Sequence, residues 1–140
     1  MRRTSGFTLV EMMVVIVIIG VLATVLITQI AGKAERAKVE ATRALISQVS
    51  NALVQFKLDH NRYPDRLDDL VTMPPYANTR NWPPGGYLKD PPRDAWGREF
   101  IYRVPGTKGQ PFDIISLGDD GREGGEGYAE DIWNHEAYKR

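Results

Sequence analysis

Hydrophobic and polar positions alternate along this chain in three successive ways, and each predicts a different element. From Met12 to Ile30 no residue is charged, and Val14 to Ile27 is apolar on almost every side. A helix needs about 20 such residues to cross a bilayer, so a membrane-inserted state is expected. From Lys33 onward the pattern becomes one-sided. Ala34, Ala37, Ala41, Leu45, Val49, Ala52, Leu53 and Phe56 fall at steps of three and four, the stripe of an amphipathic helix suited to packing on a sheet. Nothing between the two stretches breaks a helix. Phe7 to about Leu58 is therefore expected to form one rod of roughly 75 to 80 Å at 1.5 Å per residue.

Beyond Phe56 the pattern shortens. Asn61-Arg62-Tyr63-Pro64 ends the rod near Asp59, and Asp65 to Val71 predicts a short helical turn with Asp65 as its N-cap. Residues 73–98 hold too much proline and glycine for a long regular element, and predict an ordered connector packed through Trp82, Tyr87 and Trp96. Two strands are expected at Glu99–Val104 and Phe112–Leu117, with Pro105–Pro111 as the turn of a hairpin. A lone hairpin is marginal in water, so the helix stripe and a further stretch, Tyr87–Leu88, are expected to complete the core.

Composition narrows the functional classes. The apolar segment uses roughly a quarter of the 140 residues, which leaves material for one small head. Eighteen basic and eighteen acidic residues cancel, so no global field favours nucleic acid, and none is expected as a partner. With no cysteine, disulfides and thiolate chemistry are excluded. His60 and His135 lie outside any metal-ligand spacing and read as surface or capping residues, and Trp82, Trp96 and Trp133 read as core. Pro84-Gly85-Gly86 and Gly124-Gly125 lack the strand, helix, lysine and hydroxyl of a phosphate loop. No nucleophile, base and orienting group occur together, and an enzyme is not expected.

Two places carry unusual chemistry. Glu11 stands at the leading edge of the apolar run, where a carboxylate in lipid costs several kcal/mol unless a cation meets it. Arg2 and Arg3 precede the run, which by the positive-inside rule keeps the amino terminus cytoplasmic and exports the remainder. No small-residue cleavage site closes the run, which speaks against an ordinary secretory signal. The second place is Asp119 to Ile132, with six acidic residues and four glycines. Carboxylates crowded this way repel unless a cation collects them, and glycine frees carbonyls to join them as ligands. The spacing is not that of an EF-hand, and from composition alone a solvated acidic turn is the simpler reading.

Gly6-Phe7-Thr8-Leu9-Val10-Glu11 followed by the apolar run resembles the class III signal of type IV pilins and pseudopilins. Asn61-Arg62-Tyr63-Pro64, Pro84-Gly85-Gly86-Tyr87-Leu88, Asp94-Ala95-Trp96-Gly97 and Ser116-Leu117-Gly118-Asp119-Asp120-Gly121 resemble motifs of the type II secretion major pseudopilins. The resemblance implies an α+β, pilin-like fold. A long amino-terminal helix, half transmembrane and half amphipathic, packs on a small antiparallel sheet and is followed by the acidic loop. It implies three parts: a leader at 1–6, a transmembrane and fibre-core helix at 7–30, and a periplasmic head at 31–140. It implies cleavage by a prepilin peptidase between Gly6 and Phe7, N-methylation of Phe7, and pairing of Glu11 with the amino terminus of a neighbouring subunit. The product would be a homopolymeric pseudopilus, working with minor pseudopilins and an inner-membrane assembly platform to export folded proteins.

The resemblance also shifts the reading of the acidic loop. It implies one calcium ion, held by the side chains of Asp120 and Asp131 and the carbonyl of Leu117, with Glu130 and the carbonyl of Arg122 as further ligands. The expected location is the bacterial inner membrane, single-pass, with the head in the periplasm. Two alternatives stay open: a type IV pilin, disfavoured because such pilins commonly carry a cysteine pair near this end, and a membrane-anchored periplasmic binding domain.

Overall fold

Helix α1 begins where its first backbone donors find a local acceptor and ends where an asparagine turns left-handed. In the computed structural model, which describes residues 6–135 with the backbone alone over 26–31, α1 runs Leu9–His60, 52 residues, close to the bounds predicted for the helix. Asn61 adopts φ 58° and donates its N–H to the Lys57 carbonyl at 2.7 Å, closing the last turn. Asparagine tolerates that conformation better than most side chains, and Pro64 cannot extend the helix. By its packing the chain divides into two compact units, Met1–Glu35 and Arg36–Arg140.

In the first unit the apolar side chains from Phe7 to Val25 are exposed. Among the described residues no helix is long and apolar enough to cross a membrane. The expected span reaches Ile30, and the side chains of 26–31 lie outside the described residues, as do Arg2 and Arg3.

In the second unit one stripe of α1 is buried, but it differs from the stripe expected at its start. Thr42, Ile46, Val49, Leu53 and Phe56 are buried at steps of four, three, four and three, while Ala34, Ala37 and Ala41 are exposed. An alanine gains little from burial, so it marks a face weakly. Thr42 is polar yet fully buried because its Oγ1 accepts a hydrogen bond from the Ala95 N–H at 3.1 Å. Each large apolar side chain of the stripe contributes about 1.5–3 kcal/mol by leaving water.

Against this stripe lies a three-stranded antiparallel sheet, β1 (Ile101–Arg103), β2 (Asp113–Ser116) and β3 (Ile132–Trp133), in the order β1-β2-β3. The predicted hairpin is present, with shorter strands. A third strand, Ile132–Trp133 at the end of the acidic loop, was not expected, while Tyr87 and Leu88 complete the core as anticipated without joining the sheet. The N–H groups of Tyr87 and Leu88 both donate to the Leu70 carbonyl, at 2.8 and 3.0 Å, which turns Leu88 into the core without a ladder. Asp65 is not the N-cap of the short turn either. That turn, Leu67–Leu70, is a 3-10 helix capped at Arg66, whose N–H donates to Asp69 Oδ2 at 3.1 Å.

All four residues of β2 are buried, because both faces of this central strand are covered. One face puts Ile114 into the core with Leu53, Phe56, Leu70, Phe100 and Phe112, and Trp82, Tyr87 and Trp96 pack around them as anticipated. On the other face Ile101 and Trp133 flank Ile115 in register. Glu123 and Asp131 line a recess with these three residues, so the acidic loop lies over the outer face of the sheet.

Candidate functional site

The start of α1 is organised by two residues. The Thr8 N–H and the Thr8 hydroxyl both donate to Glu11 Oε2, at 2.7 and 2.9 Å, and the Glu11 N–H donates back to Thr8 Oγ1 at 3.2 Å. This reciprocal capping box satisfies donors that the helix cannot satisfy itself. Glu11, singled out for its position beside the apolar run, is thus held by Thr8. Thr8 was not among the expected functional residues, although threonine three residues before glutamate ahead of an apolar run is the signal for such a box. Gly6 and Phe7 precede the helix, Phe7 is 79% exposed, and the bond between them is accessible. Residues 1–5 of the expected leader lie outside the described residues.

The acidic loop is built by backbone contacts that bring its two ends together. The Asp119 N–H donates to the Tyr128 carbonyl at 2.9 Å and the Gly121 N–H to the Leu117 carbonyl at 3.2 Å. At Gly118, φ 61°, a Cβ would stand 2.9 Å from backbone atoms of Tyr128, Ala129 and Glu130, so only glycine permits this approach. Asp120 Oδ1 accepts from the Arg122 N–H at 3.0 Å, and Asp131 Oδ2 accepts from the Gly124 N–H at 2.9 Å.

Asp131 is the electrostatic focus of the loop. Its other oxygen, Oδ1, is buried without a hydrogen-bond partner. Burial pushes the Asp131 carboxyl above its ordinary range; the Gly124 N–H opposes this, while the nearby Glu123, Asp120 and Glu130 carboxylates add to it. Glu123 enters this group without having been expected there, since sequence spacing does not show that the loop folds it back over the sheet. Among the described residues no three histidine or carboxylate side chains converge as a metal cluster. Asp120, Glu130 and Asp131 share the loop, and the carbonyls of Leu117 and Arg122 belong to its backbone.

The two histidines have structural partners. His60 Nδ1 accepts from the Asn78 N–H at 3.0 Å, and His135 Nε2 lies 2.9 Å from Asp113 Oδ1. The buried turn at Asp94 was expected only as part of a connector. Asp94 Oδ1 accepts from the N–H groups of Trp96 and Arg98, at 3.0 and 2.8 Å, and its Oδ2 accepts from the Ser116 hydroxyl at 2.7 Å. That turn bonds the connector to β2 through Ser116.

Residues 29–135 match the family model described as type II secretion system protein G, and residues 1–27 match the prokaryotic N-terminal methylation motif. The chain is 44% identical over 137 residues to the type II secretion system core protein G of Vibrio cholerae, covering 96% of this chain and 93% of that protein. It is likewise 44% identical to the protein of the same name from Pseudomonas aeruginosa, covering 95% and 96%. The crystal structure of the major pseudopilin from the type 2 secretion system of enterohaemorrhagic Escherichia coli superposes with a TM-score of 0.60 at 30% identity, covering 74% of this chain and 91% of that one. A methylation motif at the start of the long helix, and a small sheet with its acidic loop at the end, are thus joined in one sequence, and the chain belongs to the type II secretion system protein G family.

Proposed function

We propose that this chain is the major structural subunit of a type II secretion pseudopilus, polymerising in the periplasm to export folded proteins through the outer membrane. The observation that carries this reading is the single helix that joins an amino-terminal methylation motif to a protein G head. The work is mechanical, and no catalytic role is assigned to any residue.

In this reading a prepilin peptidase removes residues 1–6 between Gly6 and Phe7, and Phe7 is then N-methylated. Residues 7–30 anchor the subunit once in the inner membrane and later line the fibre, and residues 31–140 form the periplasmic head. The uncharged stretch from Met12 to Ile30 behind Arg2 and Arg3 supports this orientation. The exposed apolar side chains between Phe7 and Val25 need lipid around them in the monomer. On extraction by the assembly platform they can be re-buried only against the same helix of other copies, which drives polymerisation. Minor pseudopilins are expected as partners in the fibre.

Glu11 supplies the register. Its carboxylate, held by Thr8 in the single subunit, would pair with the amino group of a neighbouring Phe7. Pairing lowers a desolvation cost that each charge would otherwise bear alone.

The acidic loop is read as a calcium site. The unpartnered Asp131 Oδ1 and the crowd of hard oxygen donors fit such an ion. Asp120, Glu130 and Asp131 would hold it with side-chain oxygens, and Leu117 and Arg122 with carbonyls. When bound, the ion would neutralise the mutual repulsion of these carboxylates and link the loop's folding to metal binding.

The test is the mass of the amino-terminal peptide of the mature protein taken from bacterial membranes. The expected peptide starts at N-methylated Phe7. A peptide retaining Met1, or one starting beyond Ile30, would remove the basis for polymerisation.

A further inference from the structure

Arg98 takes no part in the ligand set described above, yet its side chain ends on the loop that carries it. Nη1 donates to the Gly118 carbonyl at 2.5 Å and Nη2 to the Asp119 carbonyl at 2.6 Å. The two nitrogens of one planar guanidinium are therefore spent on two successive peptide groups. Fixing both carbonyls fixes the peptide planes between Leu117, whose carbonyl is a proposed ligand, and Asp120, whose carboxylate is another. Gly121 faces the same guanidinium, and a Cβ there would stand 2.8 Å from Arg98 Nε, so the loop closes directly onto Arg98.

The base of this fork is itself fixed. The Arg98 N–H donates to Asp94 Oδ1, Asp94 Oδ2 accepts from Ser116 on β2, and the Ala95 N–H donates to Thr42 on α1. Arg98 thus reaches the loop from a turn bonded to both helix and sheet. Its positive charge lies behind a backbone carrying six carboxylates, which eases their repulsion before any ion arrives. Because its donors go to the Gly118 and Asp119 carbonyls, Arg98 does not occupy the carboxylate oxygens of Asp120 and Asp131.

We propose that Arg98 is a positioning residue for the cation loop: by clamping the Gly118 and Asp119 carbonyls it holds residues 117–120 in ligating shape and sets the loop's affinity for a divalent cation. This rests on the calcium reading above. Groups that orient ligands without touching the metal typically change affinity by about 10–100-fold when removed.

The experiment uses the full chain in detergent micelles, stripped with chelator and titrated with calcium chloride by calorimetry, beside thermal melts in excess chelator. Arg98→Ala is expected to bind calcium at least about tenfold more weakly than wild type, and to melt lower than wild type in chelator as well, since the clamp holds the loop before any ion arrives. Arg98→Lys keeps the charge but offers a compact point donor that cannot serve two carbonyls in a plane. It is expected to fall between the two, and it carries the comparison if Arg98→Ala does not fold. Equal calcium affinity in wild type and both variants would overturn the positioning role, as would a loss of melting in chelator with binding unchanged. Absence of calcium binding by the wild type would instead overturn the calcium reading itself.

Discussion

Replacing Asp94 with alanine removes three hydrogen bonds at one buried point. Asp94 is 5% exposed and accepts from two backbone N–H groups and from the Ser116 hydroxyl, itself 1% exposed. Hydrogen bonds to a charged acceptor contribute about 1.5–3 kcal/mol each, and a buried donor left without a partner costs about 1–3 kcal/mol. The three share one acceptor and are not additive, so a loss of about 3–5 kcal/mol is expected, a large fraction of the stability of a small domain. For a unit of this size that corresponds to a fall in Tm on the order of 15 °C. Asp94→Asn is the informative control. Its side-chain oxygen can still accept from Trp96 and Arg98, and the Ser116 hydroxyl can rotate to accept from the amide, so the loss should be about 1–2 kcal/mol. Urea melts of the full chain in detergent, followed by the near-ultraviolet signal of Trp82 and Trp96, measure both. An Asp94→Ala midpoint within about 1 kcal/mol of wild type, or an Asn variant as damaged as the Ala variant, would refute this account of the turn.

Three further outcomes follow from the geometry. Burial of Asp113 raises its carboxyl, but His135 and the N–H and hydroxyl of Thr107 outweigh this and hold it below the usual carboxylate range. A depressed folded-state value stabilises the head fully above the unfolded-state value near about 4 and loses that contribution as pH falls through the folded value. Stability against pH should therefore decline on the acid side, and Asp113→Asn should flatten that decline in melts across the acid range. Glu11→Ala is expected to block fibre assembly while leaving membrane insertion intact, read by fractionation and by microscopy of sheared fibres; normal fibres would sink the charge-pairing role. Asp131→Ala removes the buried unpartnered oxygen, so wild-type protein should melt at lower temperature in chelator while the variant melts alike with and without it. A wild-type melt that ignores chelator would restore the solvated acidic turn.

The legible parts of the sequence were those with long periodicity or local chemistry. Fifty-two residues with no helix breaker gave α1 almost to its ends, and Asn61 with Pro64 marked the stop. The hairpin followed from two β-branched and aromatic runs around a proline-glycine turn. Less legible was which face of α1 would be buried near its start. Periodicity credits Ala34, Ala37 and Ala41 as apolar, but alanine has too little side chain to compete for a core position. Thr42 is buried through a partner 53 residues away.

What the sequence determined by itself is local: a long helix uncharged from Met12 to Ile30 and one-sided beyond Lys33, and a head too small to carry much besides one sheet. What the tertiary structure decided is who meets whom across long separations. β3 comes from the end of the acidic loop because Ile132 has an open edge of β2 to pair with, whereas Tyr87 and Leu88 are drawn to the Leu70 carbonyl. Arg98 clamps a loop 20 residues further on, and Glu123 folds back beside Asp131. Such contacts depend on the geometry of the whole core, since an acceptor or an unpaired edge becomes available only once the rest has packed.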